Sequence, residues 1–357
     1  MNIAFVNTSR GWGGAEEQML AMARELERRG HLVTVVARRG GPILERFMGA
    51  GHRVLPVARK GVAAIAAPFL AALRAKGARF DIIHSHRDHD LPLGKLLALA
   101  CGAPLLLTQH CLPHRPSALA YRLADHLVAV SGYIAAGIGA KLPVMEGRIG
   151  VIVNGVDPSL FADADPAFWR SHPQAGARRP LMGAVGAFYK GQEELIGVLP
   201  ALLKEFPQLA LILIGEDDAR KEPLRQLAER TGVAQAVVFA GRIPREKMKD
   251  ALAGLDLNVS AFRNEGFGLS VVEGLAVGTP FVGYRAGGYP EIITGAETGC
   301  LVDTPSELAG AISRLLGDRG IDRAARSGAC KAAAGRFTLD NMADQYQRLY
   351  FAMKGTS

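Results

Sequence analysis

Two glutamates, Glu265 and Glu273, frame the run Gly266, Phe267, Gly268, Leu269 directly after the apolar stretch Leu257 to Ser260. Glycines at a helix start let the backbone approach a ligand closely, and the amides of a first helical turn favour phosphate oxygens. A diphosphate suits such a start. Glu273, about two turns into the helix, is placed to accept hydrogen bonds from paired hydroxyls such as those of a ribose, and Glu265, before the helix, faces a sugar. The plainer alternative is a glycine-rich loop with two solvated carboxylates. A second concentration of chemistry is His84, Ser85, His86, Arg87, Asp88, His89. Its HxHxDH spacing matches metallo-β-lactamase-type hydrolases, in which imidazoles and a carboxylate hold zinc and generate hydroxide, with His110, His114 and His126 available downstream.

Positioning these groups falls to apolar runs that alternate with amphipathic helical stretches, the pattern of parallel sheets covered by helices on both faces. In the first half, strands are expected at Asn2 to Asn7, Leu32 to Ala37, Ile82 to His84, Leu105 to Thr108, Leu127 to Val130 and Val151 to Val153. A helix from about Ala15 to Arg29 ends at Gly30. Residues Asn154 to Pro180 read as a linker. Strands at Leu181 to Val185, Ala210 to Gly215, Val237 to Ala240, Leu257 to Ser260, Phe281 to Tyr284 and Gly299 to Val302 make a second sheet, with helices Gln192 to Glu205, Pro223 to Arg230 and Glu246 to Ala253 between them. The division is therefore 1–155 and 156–338, with a helix from about 339 to 357 crossing back to the first domain. His110 then lies at the carboxyl edge of its strand, where open α/β sheets bind ligands.

Bulk properties agree with two domains. A chain of 357 residues exceeds the usual reach of one core, and 49% hydrophobic against 21% charged residues excludes a disordered or fibrous chain. The nearly uncharged stretch Gly61 to Leu73 is interrupted by Pro68 and falls short of the roughly 20 residues that span a bilayer. The N-terminus enters a strand without a basic leader, and four irregularly spaced cysteines suit a reducing compartment, so the expected location is the cytoplasm. The net charge of +8 is unevenly placed: residues 1–155 hold 19 Lys plus Arg against 10 Asp plus Glu, and the rest 23 against 24. That basic half is either a solubilising charge or a surface for an anionic partner: an acidic membrane, a phosphorylated lipid carrier or an acidic glycan. Arg59 to Arg79, apolar between basic ends, is either a packing helix or a stretch that lies on the inner membrane face. Nucleic acid is not expected, because no zinc-finger spacing, aromatic RNA-binding stretch or basic arm is present.

The stretch SAFRNEGFGLSVVEGLAVGTPFVGYRAGGYPEII resembles the donor-site signature of glycosyltransferase family 4, in which two glutamates are separated by seven residues. GWGGAEEQMLAMARELERRGHLVTVV, DIIHSH, TQH, AVS, VIVNGVD and VGAFYKGQEELI follow the family's order over almost the whole chain. The resemblance implies the GT-B fold, two Rossmann-like doubly wound parallel-sheet α/β domains facing across a cleft, with acceptor on the first and nucleotide-sugar donor on the second. It implies a retaining, metal-independent transferase with no cofactor, acting on a glycan, lipid-linked or lipopolysaccharide-type acceptor. Gly13 and Gly14 would approach the donor diphosphate, Lys190 would contact it, and Gly266 to Leu269 with Glu273 would complete the donor site. Glu265 and His110 would position the sugar, and His86 and Arg87 would face the acceptor, with His84 buried. Retention in the family is attributed to front-face attack, in which the leaving phosphate accepts the acceptor proton.

One position departs from the family. An arginine commonly follows the glycine of the VGAFYK strand, and here it is Ala187. A lost donor to the leaving phosphate costs about 2.7–4 kcal/mol, so compensation is expected, with Arg242 and Arg263 as candidates; Arg242 alternatively contacts the nucleotide base. Beside the transferase stand a zinc hydrolase built on His84 to His89, a GT-B sugar epimerase and a non-catalytic nucleotide-sugar binder.

Overall fold

The computed structural model describes residues 1–57, 79–114, 116–216, 218–318 and 323–355. The chain forms two compact units, Met1–Gly155 with Leu339–Ser357, and Val156–Thr338. The first is built on seven strands: β1 (Asn2–Asn7), β2 (Leu32–Arg38), β3 (Arg53–Val57), β4 (Ile82–Ser85), β5 (Leu105–Gln109), β6 (His126–Ala129) and β7 (Ile149–Val151). Their order is β3-β2-β1-β4-β5-β6-β7, and neighbouring strands are parallel. Ile3 to Val6 and Leu105 to Leu107 are buried throughout, as continuous apolar runs must be when both faces of a sheet are covered. The order reverses between β1 and β4, which opens a crevice at the carboxyl ends of those strands.

Helix Gly14–Arg28 turns Met19, Met22, Ala23 and Leu26 onto this sheet. The last helix, Leu339–Gly355, packs against the same unit, inserting Met342, Tyr346, Tyr350 and Met353 into its core. Each buried side chain of this size contributes about 1.5–3 kcal/mol, and Arg29, 12% exposed, adds ion pairs to Asp340 and Asp344 on the same seam. Strand β3 has no counterpart in the sequence reading. It is an edge strand in which only Val57 of five residues is buried, and an edge tolerates its proline, Pro56.

The second unit holds β8 (Leu181–Val185), β9 (Ala210–Ile214), β10 (Val237–Gly241), β11 (Leu257–Ser260), β12 (Phe281–Tyr284) and β13 (Gly299–Val302), in the order β10-β9-β8-β11-β12-β13. Its order reverses between β8 and β11. The stretch expected as a linker is instead folded onto this unit from Val156 onward. Phe161 and Trp169 are buried, and the Trp169 indole donates to the Ala251 carbonyl at 2.8 Å, anchors that a free linker has no use for. Among the described residues no helix is long and apolar enough to cross a membrane. Of the basic stretch Arg59 to Arg79, residues 59–78 lie outside the described residues.

Candidate functional site

In the second unit the loops after β8 and β11 meet where the strand order reverses. Lys190 Nζ donates to Glu265 Oε2 at 2.7 Å, with the two side chains 25% and 21% exposed, and the Phe262 ring centre lies 5.3 Å from the ammonium. Gly191 makes this approach possible. It caps helix Gln192–Glu205 at φ 81°, and a Cβ there would sit 2.7 Å from the Ala261 backbone. Glu265 is held from the other side by Gly288, whose N–H donates to its carbonyl at 2.9 Å.

Three residues on, Gly268 caps helix Leu269–Ala276 at φ 111°, a conformation that L side chains rarely adopt. Its carbonyl accepts from Val271 and Val272 at 2.9 and 3.2 Å, so the helix begins tightly. The earlier amides of this turn, those of Gly268, Leu269 and Ser270, have no acceptor within the helix and attract anions. Phe267 is 2% exposed and packs edge-on to Phe337 at 5.6 Å. Its side chain anchors the loop, which leaves its backbone for a ligand. Glu273 is 5% exposed and pairs with Arg245 at 2.5 Å. Arg245 is a residue that the sequence reading missed. The available signal was its place just beyond β10, at the carboxyl edge of the sheet.

The two candidate replacements for the missing arginine fare differently. Arg263 forks onto Glu194 at 2.6 and 3.1 Å and lies 3.7 Å over the Tyr284 ring, while the Tyr284 hydroxyl donates to Glu194 at 2.5 Å. The guanidinium holds the Glu194 carboxyl below its usual range, so the charge of Arg263 is already engaged. Arg242 is exposed just beyond β10.

In the first unit, the crevice between β1 and β4 is crossed by an ion pair whose carboxylate is buried. Glu16 Oε1 accepts from Arg87 Nη2 at 2.7 Å and from Asn7 Nδ2 at 3.2 Å, while Oε2 accepts from the Gly13 N–H at 3.0 Å. The start of the helix at Gly14 is thus tied to the end of β4 through one carboxylate, which the sequence reading had not singled out. Asp90 anchors the same rim by accepting from the Thr8 amide at 2.9 Å.

The histidines do not form the zinc cluster that their spacing permits. His84 is fully buried, with Nδ1 hydrogen-bonded to the Tyr350 hydroxyl and Nε2 to Thr108 Oγ1, both at 2.7 Å, so neither nitrogen is left for a metal. His89 lies half-exposed beside Asp88 and Asp90. Among the described residues no three His, Cys, Asp or Glu side chains converge as metal ligands. His86 instead stacks on His84, with ring centres 4.1 Å apart, and its Nδ1 lies 3.3 Å from His110 Nε2. Loss of hydration depresses all three imidazoles, and for His110 the Arg87 charge adds to it and brings the pKa to about 4. They are neutral at physiological pH. His86 Nε2, His110 Nδ1 and Arg87 Nε are buried without a protein partner, an arrangement that invites a hydrogen-bonding ligand.

Two doubly wound parallel α/β sheets, each with a polar crevice where its strand order reverses, define the GT-B class of glycosyltransferase. Comparison with known proteins agrees: residues 12–160 match the family described as Glycosyltransferase Family 4, and residues 168–331 match Glycosyl transferases group 1. The chain is 30% identical over 318 residues to the D-inositol 3-phosphate glycosyltransferase of Acidothermus cellulolyticus, covering 78% of this chain and 70% of that protein. It is 28% identical over 365 residues to the phosphatidyl-myo-inositol mannosyltransferase of Mycobacterium tuberculosis, covering 96% and 94%. The structure of Anabaena HepE with UDP and glucose shares the fold at a TM-score of 0.83 and 23% identity, over 99% of this chain and 100% of that one. The chain belongs to glycosyltransferase family 4, and the hydrolase alternative is thereby set aside.

Proposed function

We propose that this glycosyltransferase moves a hexose, with retention and without a metal ion, from a nucleoside diphosphate sugar to a glycan, lipid-linked or lipopolysaccharide-type acceptor. The observation that carries the reading is the Lys190–Glu265 pair beside the Gly268 helix start, with the buried Glu273 carboxylate farther along that helix. In this reading Lys190 and the backbone amides of Gly266 to Leu269, in the loop and at the helix start, take the diphosphate, supplying the positive charge that a metal provides elsewhere. Glu273 accepts from the ribose hydroxyls. Glu265, released from Lys190 by the phosphates, accepts from the sugar hydroxyls.

The acceptor oxygen attacks the anomeric carbon on the face from which the diphosphate leaves. The bond from that carbon to the diphosphate oxygen breaks, and the acceptor proton passes to the departing phosphate. The unpartnered nitrogens of His86, His110 and Arg87 support placing the acceptor side of the reaction at the crevice of the first unit. The inositol phosphate and phosphatidylinositol in the relatives' names, with the +9 charge of residues 1–155, support an anionic acceptor in cell-envelope synthesis at the inner membrane face.

Thermal shift with UDP-glucose and GDP-mannose, with and without magnesium, tests donor binding and metal need together. Stabilisation by a nucleotide sugar in chelator is the expected result, and stabilisation that requires magnesium refutes metal independence. Glu273→Ala is expected to weaken nucleoside diphosphate binding, while Glu265→Ala spares it and lowers turnover. The reverse pattern overturns the assignment of roles.

A further inference from the structure

We infer that Arg245 is a positioning residue of the nucleoside site: it holds the Glu273 carboxylate in the orientation that receives the ribose hydroxyls. The inference rests on the reading of Glu273 as the ribose acceptor. A carboxylate that is 5% exposed has lost most of its water, and a charged partner offsets that loss and helps to fix it. Arg245 Nη1 supplies one, in an ion pair at 2.5 Å from Glu273 Oε1.

The arginine comes from a rigid base. It opens the turn Arg245–Lys247, which is preceded by Pro244 and closed by Lys247 N–H donating to the Pro244 carbonyl at 2.9 Å. Helix Met248–Ala253 follows at once. The neighbouring cations are placed differently: Lys247 pairs with Asp250 at 3.4 Å, and Arg242 is exposed. The Arg245 side chain is 46% exposed, so it forms the rim of the site and not its floor. A carboxylate accepts about four hydrogen bonds, so an ion pair through Oε1 is compatible with a diol bound to the same group. Arg245 therefore fixes the acceptor geometry without touching the reacting atoms.

The test is calorimetric binding of UDP and of 2′,3′-dideoxy-UDP to the wild type, Arg245→Gln, Arg245→Lys and Glu273→Ala. The GDP pair replaces the UDP pair where GDP binds more tightly. In the wild type the ribose hydroxyls are expected to improve affinity by about tenfold, or 1.4 kcal/mol. Arg245→Gln should reduce that advantage to about twofold by weakening UDP alone, with the dideoxy nucleotide unchanged, and Arg245→Lys should restore part of it. Glu273→Ala should abolish it. An undiminished advantage in Arg245→Gln overturns the inference, as does an equal loss for both nucleotides, which would be a general structural or charge effect. A wild type that binds both nucleotides equally overturns the ribose reading of Glu273 itself, and one that binds neither pair overturns the nucleotide reading of the unit.

Discussion

Glu16→Gln isolates the one buried carboxylate that ties the start of the first helix to the end of β4. The substitution keeps size and removes charge, yet the three donors aimed at Glu16, from Arg87, Asn7 and Gly13, remain in place. An amide offers a single acceptor oxygen, so its NH2 must face at least one of them. Breaking a buried ion pair by removing one partner costs about 3–5 kcal/mol. Glu16 is 3% exposed but Arg87 is 27% exposed, so the stranded guanidinium regains some water and the expected loss falls to about 2–3 kcal/mol. In a unit of this size that lowers the melting temperature by roughly 5–10 °C. Scanning calorimetry and urea unfolding read it. Arg87→Met on top of Glu16→Gln removes the stranded charge and should recover a large part of the loss, while nucleotide binding by the second unit stays at its wild-type value. A single variant within about 0.5 kcal/mol of wild type, or simple additivity in the double variant, would refute the reasoning.

Two further outcomes are expected. Gly268→Ala places a Cβ at φ 111°, 3.2 Å from Ile292 and Tyr289, so the helix start must shift. Nucleoside diphosphate affinity should fall by about tenfold from strain of about 1–2 kcal/mol, and unchanged affinity would remove that helix start from the phosphate site. The depressed imidazoles predict acid lability with a definite window. Unfolded histidines titrate near 6.5 while His84 and His86 lie well below and His110 near 4, so the unfolded chain binds more protons in that interval. Stability is fully present above about pH 6.5 and declines as pH falls towards 4; a melting temperature that stays level from pH 7 to 5 contradicts this.

Much of the fold was legible because parallel strands are marked by their own composition. Expected and observed bounds coincide for β8, β11, β12 and β13, which are short buried runs ended by turn residues. Exposed edges carry no such mark. The last strand of the first unit was expected at Val151 to Val153 and lies at Ile149–Val151, where two of three residues face water and the pattern loses its meaning. The glutamate pair was legible because Glu265 and Glu273 bracket one helix start. The Arg245–Glu273 and Arg87–Glu16 pairs were not, because each joins side chains from different elements, the latter 71 residues apart, and no local spacing announces them. The proline-rich stretch before Pro180 misled by composition, since its two aromatic anchors weigh more than its turn residues.

The return of the final helix to the first unit sets an order of events during synthesis. Residues 1–155 leave the ribosome before the second unit, yet the hydroxyls that satisfy His84 and Thr108 belong to Tyr350 and Tyr346, in the seventeen-residue helix that follows that unit. Until then the early sheet carries an uncovered apolar face and unsatisfied polar groups in its core, the features that retain chaperones. The second unit has all of its parts in one continuous stretch, whereas the first is completed only by a helix that lies beyond the second in sequence.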